Sequence, residues 1–412
     1  MTGKEKDILT DLGKKVRDLA AKDVNKERKQ RIIDMHNLKA VRPPVWIDEI
    51  PWHEMNMEDS LTLQCESTEA REMEQHFRRI LYRWKYIQAD MVVEDTYYIT
   101  KAYEDSGFGL TIKDETIATH KDNYIVSHAY EDQLDEDEKV DALYLPKITV
   151  FPETDKKNLE MANDVLDGIM DVKLRGHMIY YAPWDQIARF RGVENIYIDM
   201  ISNPDLLHRI MKKFTAIYDA RYDQLQEAGL LEFNLSHLHC TPSYSDKVPA
   251  PDYDGGKIRY KDVWFRGMAQ MFGSASPAMH DEFSLEYLRP MMDKCALVYY
   301  GCCEPLDNFI PYLKKVPNMR KIGVSPWANI RSSAEQMGSN YVYAHKPNPA
   351  NVARDFIKET VVTEISNVIE ACMENKCAYE FTLKDISTVN HDPRNLIMWT
   401  ETVKETIDKY YK

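Results

Sequence analysis

The stretch SHLHCTPSYS, residues 236–245, places His237, His239 and Cys240 at the end of an apolar run. Further on, YYGCCEPLDN, residues 299–308, places Cys302, Cys303 and Glu304 at the end of another. Imidazole, thiolate and carboxylate gathered in tetrahedral disposition are the donors that zinc selects. Side chains alternate faces along a strand, so His237 and His239 are predicted to point one way, and Cys302 and Glu304 likewise. If the two runs are neighbouring strands, the two pairs converge. Taken singly, each histidine reads more readily as a hydrogen-bonded core residue. The coincidence of two such clusters argues for ligands. A Cys–His nucleophile pair is a second use of these residues. Against it, no helix start follows Cys302 to lower its thiol pKa. Glu94 and Asp95 offer carboxylates for acid/base work, but adjacent strand residues face opposite sides, so at most one points inward.

These residues need a frame to hold them. Short runs rich in β-branched and aromatic residues begin at Val45, Met91, Met178, Leu231, Ala296, Lys321, Tyr341 and Tyr379. Between them lie segments with apolar residues at three- and four-residue spacing, such as NPDLLHRIMKKF, where Asn203 and Pro204 signal a helix start and Gly229 its end. Strands alternating with helices predict a parallel sheet, and eight of them predict an α/β fold of the (β/α)₈ TIM-barrel type. A doubly wound open sheet is the alternative, but no glycine-rich phosphate-binding motif follows the first strand. Residues 1–44 are predicted as an N-terminal helical extension and 45–412 as the barrel. Residues 105–150 read as a hairpin insertion with an acidic run, and 241–275 as a long loop after the fourth strand. In a barrel such loops cover the active-site mouth, where chemistry gathers at the carboxyl ends of the strands.

Composition excludes several classes. The 412 residues are 44% hydrophobic and 29% charged, an ordinary globular balance. A net charge of −14 argues against a nucleic-acid partner, because phosphate binding needs concentrated Lys and Arg. No apolar run approaches the roughly 20 residues needed to span a bilayer. The first residues are charged and amphipathic, with no apolar signal region, so a cytoplasmic location is expected. Seven cysteines, an odd number, read as reduced thiols rather than a disulfide framework.

The chain resembles the uroporphyrinogen decarboxylase superfamily. LRGHMIYYAPWDQIARFRGVENIYIDMISNPDLLHRIMKKF is similar to its central segment, and ASPAMHDEFSLEYLRPMM to a later helix lead-in. VYYGCCEPLDNFIPYL, YVYAHKPNPANV and HDPRNLIMWTETV follow in the family's order. The resemblance implies a (β/α)₈ barrel. It also implies one of two chemistries, porphyrinogen decarboxylation or corrinoid (cobalamin)-dependent methyl transfer. The decarboxylases carry an arginine-rich stretch after the first strand to hold substrate carboxylates. Here WIDEIPWHEMN has acids and no arginine, which disfavours that branch. The methyltransferase branch binds zinc through His-x-Cys on the fifth strand and a late Cys on the eighth. Cys302 matches the first cysteine, Tyr300 stands in for the histidine, and the late position falls near Asp385.

What the resemblance implies is therefore a corrinoid-dependent methyltransferase with a rebuilt metal set. Such an enzyme takes methyl from an O-methyl donor, an aryl methyl ether among the candidates, and passes it to the Co(I) corrinoid of a cobalamin-carrying partner protein. The expected zinc ligands are His239, Cys302 and Glu304, completed by Asp385 or Cys240. Glu94, His345 and Tyr98 are the expected acid/base or orienting groups. Trp46, Trp52, Trp184 and Trp327 are the expected walls of an aromatic pocket, though each alone reads more readily as barrel packing. The alternatives are a methylcorrinoid:thiol or folate methyltransferase, a decarboxylase-like enzyme, and a non-catalytic barrel that binds a corrinoid protein.

Overall fold

The two periodicities of the sequence become two layers. In the computed structural model, which describes residues 1–117 and 127–411, seven strands form one parallel sheet. They are β1 (Val45–Ile47), β2 (Ile179–Tyr181), β3 (Trp264–Gly267), β4 (Leu297–Tyr300), β5 (Met319–Val324), β6 (Val342–His345) and β7 (Ala378–Leu383). Their order is β1-β7-β6-β5-β4-β3-β2, every pair parallel. With helices on its outer face, this curled sheet is an α/β barrel of the TIM type. The free edge of β1 is covered by the segment at Asp90. Its carboxylate accepts from the Val45 N–H at 2.8 Å, and its own N–H donates to the Val45 carbonyl at 2.8 Å.

Strand alternation divides the side chains cleanly. Val45, Ile47, Ile179, Tyr181, Phe265, Val298, Tyr300, Ile322, Val324, Tyr343, Tyr379, Phe381 and Leu383 join the main apolar core, which also takes in the outer helices. One such helix, Pro204–Glu227, buries Leu206, Leu207, Ile210, Met211, Phe214, Ile217 and Tyr218 at helical spacing. The opposite set, Trp46, Tyr180, Arg266, Tyr299, Lys321, Ala344, Glu380 and Thr382, faces the barrel interior. This interior is polar. Lys321 Nζ lies 2.9 Å from Glu380 Oε2, with both side chains buried.

The N-terminal residues form two helices, Gly3–Ala20 and Val24–His36. The first packs on the helix Thr68–Tyr86. The second reaches the barrel floor, where His36 Nδ1 meets the Tyr244 carbonyl at 2.7 Å. The insertion at 105–150 pairs Asp114–Ile117 with Ser127–Tyr130 antiparallel. Residues 118–126 of it lie outside the described residues. No described helix is long and apolar enough to cross a membrane, and all seven cysteines are unpaired.

Two predicted strands are corrected. The run from Met91 does not join the barrel. It leads instead into Thr96–Thr100, which pairs in parallel with Asp171–Arg175 in a separate two-stranded sheet. The run from Leu231 makes an isolated parallel bridge between Leu231 and His177 and then only the short strand His237–Leu238, which pairs antiparallel with Thr241–Pro242 in a tight hairpin. The strand standing there in the barrel is β3, inside the segment 241–275 that was expected to be a loop. Its sequence WFRG escapes an apolar pattern because Arg266 faces inward and Gly267 ends the strand.

Candidate metal and thiol site at the barrel mouth

Three chain segments meet at the carboxyl ends of the strands. The hairpin delivers His239 and Cys240 on its turn, and Cys240 adopts φ +60° there. Its base is anchored in the barrel. Thr241 Oγ1 donates to Glu380 and accepts from Lys321 Nζ at 2.7 Å. The Cys240 N–H donates to Asp48 Oδ2 at 3.0 Å. The second segment follows β4, where Gly301 at φ +99° turns the chain and carries Cys302 into the mouth. The third follows β7 and brings Lys384, whose Nζ lies 2.9 Å from Cys302 Sγ.

His239, Cys240 and Cys302 each present one donor atom, and the three atoms lie within 4.8 Å of one another. Cys303 Sγ is 4.0 Å from Cys302 Sγ and donates to Asp385 Oδ2 at 2.9 Å. Zinc with sulfur at about 2.3 Å and nitrogen at about 2.0 Å needs its tetrahedral ligands roughly 3.5–4 Å apart, so these residues fit such an ion after a small contraction. Two thiols and one imidazole leave a fourth position open, the pattern of catalytic zinc.

The electrostatics single out one thiol. Cys302 is held well below the usual thiol range, by donation from the Cys240 and Cys303 sulfhydryls and then from His239, with the nearby Arg266 charge adding to it, against the cost of burial. Cys240 and Cys303 are pushed up, chiefly because they donate to Cys302. Burial opposes the Lys384 charge, but the neighbouring thiols and Asp385 raise it above its ordinary value. The lowered thiol and the raised amine therefore favour opposite charges on two atoms 2.9 Å apart.

The other predicted residues are spread more widely. Asp385 borders the cluster, 2.8 Å from Lys384 Nζ. Glu304 does not share the thiol face: the strand ends at Tyr300, so alternation no longer governs it. Its carboxylate accepts from the Cys302 N–H at 2.8 Å and the Ala269 N–H at 3.4 Å, and burial raises its pKa to about 7. His237 is exposed, its ring 6.5 Å from that of Trp46, and does not share in the donor cluster. His345 turns to the helix side of β6, where Nε2 lies 3.6 Å from Glu364 Oε1. Glu94 pairs with Lys29 at 3.3 Å. The Tyr98 hydroxyl accepts from Asn234 at 3.3 Å under the Arg175 guanidinium. Tyr300 also faces the helices and bonds His280 Nε2 at 2.7 Å.

Of the four tryptophans, Trp327 lines a cleft of about 590 Å³ beside the thiols, together with Cys303, Lys346, Lys384 and Asp385. Trp46 packs inside the barrel under Arg83. Trp52 lies under Arg79. Trp184 is wholly buried, donating to the Phe283 carbonyl at 2.9 Å. A larger hollow of about 910 Å³, lined by Asp141, His208 and Lys213 among others, holds none of the thiol-site residues.

Sequence reasoning gives no role to Lys384, Lys346 or Arg266, yet all three stand at the site. The two lysines carry a signal of period two: Lys384 continues the inward series Glu380, Thr382, and Lys346 continues Val342, Ala344.

No protein-family model matches the chain. No curated protein matches it either. Among solved structures, a methyltransferase from Methanosarcina mazei aligns over 93% of this chain and 99% of that one, at 9% identity and a TM-score of 0.49.

Proposed function

We propose that the chain is a methyltransferase that moves a methyl group from an O-methyl donor to the Co(I) corrinoid of a separate carrier protein. The observation that carries this reading is the soft-donor cluster of His239, Cys240 and Cys302 at the barrel mouth, beside a cleft sized for a small molecule. The motif order read from the sequence, with the acidic stretch after β1, favours methyl transfer over decarboxylation.

When the C–O bond of an ether breaks, its electron pair stays on oxygen, and the site must stabilise that oxyanion. A zinc ion held by the three donors would supply a Lewis acid for it. Lys384 balances the Cys302 thiolate and, with Lys346, places positive charge at the cleft. Asp385 orients both Lys384 and the Cys303 sulfhydryl. Trp327 offers a flat aromatic wall to the same cleft.

The test joins metal analysis to turnover. Purified protein is expected to retain zinc and to demethylate an aryl methyl ether when a Co(I) corrinoid carrier is supplied, read from the cobalt spectrum. Cys302→Ala should lose both. Zinc content unchanged in that variant would dismiss the ligand set, and no turnover with any methyl donor would favour a binding role.

A further inference from the structure

The thiols at the barrel mouth are shut off from the cleft beside them. Cys240 and Cys302 are wholly buried, and neither lines the hollow. Lys384 does line it, and its Nζ stands 2.9 Å from Cys302 Sγ. A molecule entering the cleft meets that ammonium before it meets the sulfur. Access to Cys302 therefore depends on the segment that carries Lys384.

That segment, residues 384–393, joins β7 to the helix Arg394–Tyr410 and forms neither helix nor strand. Asp385, Asn390 and His391 in it take left-handed backbone angles, φ 55°, 57° and 55°. Such residues persist only where their surroundings hold them. A carboxylate from the turn after β1, the neighbouring strand, does much of the holding. Glu54, its side chain 5% exposed, accepts from Thr388 Oγ1 at 2.8 and 2.9 Å. It also accepts from the Val389 N–H at 2.8 Å and the His391 N–H at 3.1 Å. The Thr388 hydroxyl in turn accepts from the Asn390 N–H at 2.9 Å. Burial opposes the Glu54 charge, yet the Val389, Thr388 and His391 donors hold its pKa below the usual carboxylate range. Glu49, on the same turn, accepts from the Asp385 N–H at 2.8 Å. Ile386 and Val389 dip into the main core and give the segment a second, apolar attachment.

We propose that Glu54 is the positioning residue of the thiol site: it clasps segment 384–393 in a closed arrangement in which Lys384 covers Cys302, and release of the clasp opens that sulfur to the cleft. Ile386 and Val389 keep the segment attached when the clasp is lost, so opening is a local event and not unfolding. The inference concerns access to sulfur and holds whatever ion or group the site handles.

The full chain is treated with N-ethylmaleimide in the presence of a chelator, so that bound metal does not mask the thiols. Modification of each cysteine is followed by tandem mass spectrometry, with Cys372, wholly buried on the helix side, as the reporter of global unfolding. Glu54→Ala removes an acceptor of several hydrogen bonds and should speed modification of Cys302 about tenfold or more, with Cys372 unchanged. Amides of residues 385–391 should exchange hydrogen faster in the same variant. Glu54→Gln should restore part of the protection, and Thr388→Val, which leaves the carboxylate in place, should act in the same direction by a smaller factor. Cys302 reactivity unchanged in Glu54→Ala and Thr388→Val overturns the proposal. So does faster amide exchange without faster Cys302 modification, which would leave Glu54 a structural tie. If Cys372 accelerates together with Cys302 in Glu54→Ala, Thr388→Val decides on the same criterion. Absence of metal binding or methyl transfer would remove the proposed function and leave this inference standing.

Discussion

Lys384 Nζ stands 2.9 Å from Cys302 Sγ across the barrel mouth, reached from β7 on one side and from the turn after β4 on the other. If zinc is held as proposed, an ammonium in that position would act as an outer-sphere partner, fixing the orientation and charge of a ligand without touching the ion.

Lys384→Met should therefore lower zinc affinity by about 10–100-fold, with the fold intact. Competition with a chromophoric chelator measures it, and Lys384→Arg should recover part of the loss. Affinity unchanged in both variants would mean that the lysine does not act on the thiolate.

Gly301 turns the chain at φ +99°, and a Cβ there would strike Leu306 Cδ1. Gly301→Ala is expected to cost about 1–3 kcal/mol in chemical denaturation and to displace Cys302. A variant as stable as the parent, with full zinc content, would show that the turn tolerates a side chain.

His280 is buried between Phe309, stacked at 3.8 Å, and Tyr300, and burial lowers its pKa to about 3. In the unfolded chain it titrates near 6.5. Between these values the unfolded state binds the extra proton, so stability falls as pH drops from about 6.5 toward 3, with a limiting slope of about 1.4 kcal/mol per pH unit from this group. Comparing His280→Phe with the parent by urea unfolding at several pH values isolates the slope, which the variant should lack.

The Lys321–Glu380 pair anchors the hairpin through Thr241. Glu380→Gln strands a buried ammonium and should cost about 3–5 kcal/mol, whereas the apolar double change, Lys321→Met with Glu380→Leu, should recover most of that loss. Failure of the double variant to recover would show that Thr241 needs the charge pair itself.

Much of the barrel could be read from alternation, because an outward strand face packed on helices must be apolar. The runs at Val45, Met178, Ala296, Lys321, Tyr341 and Tyr379 all became barrel strands. β3 was invisible because its inward residue, Arg266, is charged. The runs at Met91 and Leu231 misled because an apolar run can equally serve a side sheet or a hairpin. His239, Cys240 and Cys302 do come together, but through a turn and not through a strand tip. Nothing local in the sequence sets that hairpin's position, which depends on Lys321 and Glu380 far along the chain. Lys346 and Lys384 gain no role from the sequence because lysine ordinarily marks a solvent-facing position.

The hairpin's dependence on distant strands has a consequence for the order of maturation. The sulfur and imidazole atoms at the barrel mouth belong to segments that become neighbours only when β5 and β7 have paired into the cylinder and seized Thr241. A nascent or half-closed chain offers no cage, so on the proposed zinc reading ion capture would be a late event, and a polypeptide stalled before closure would be unable to scavenge metal.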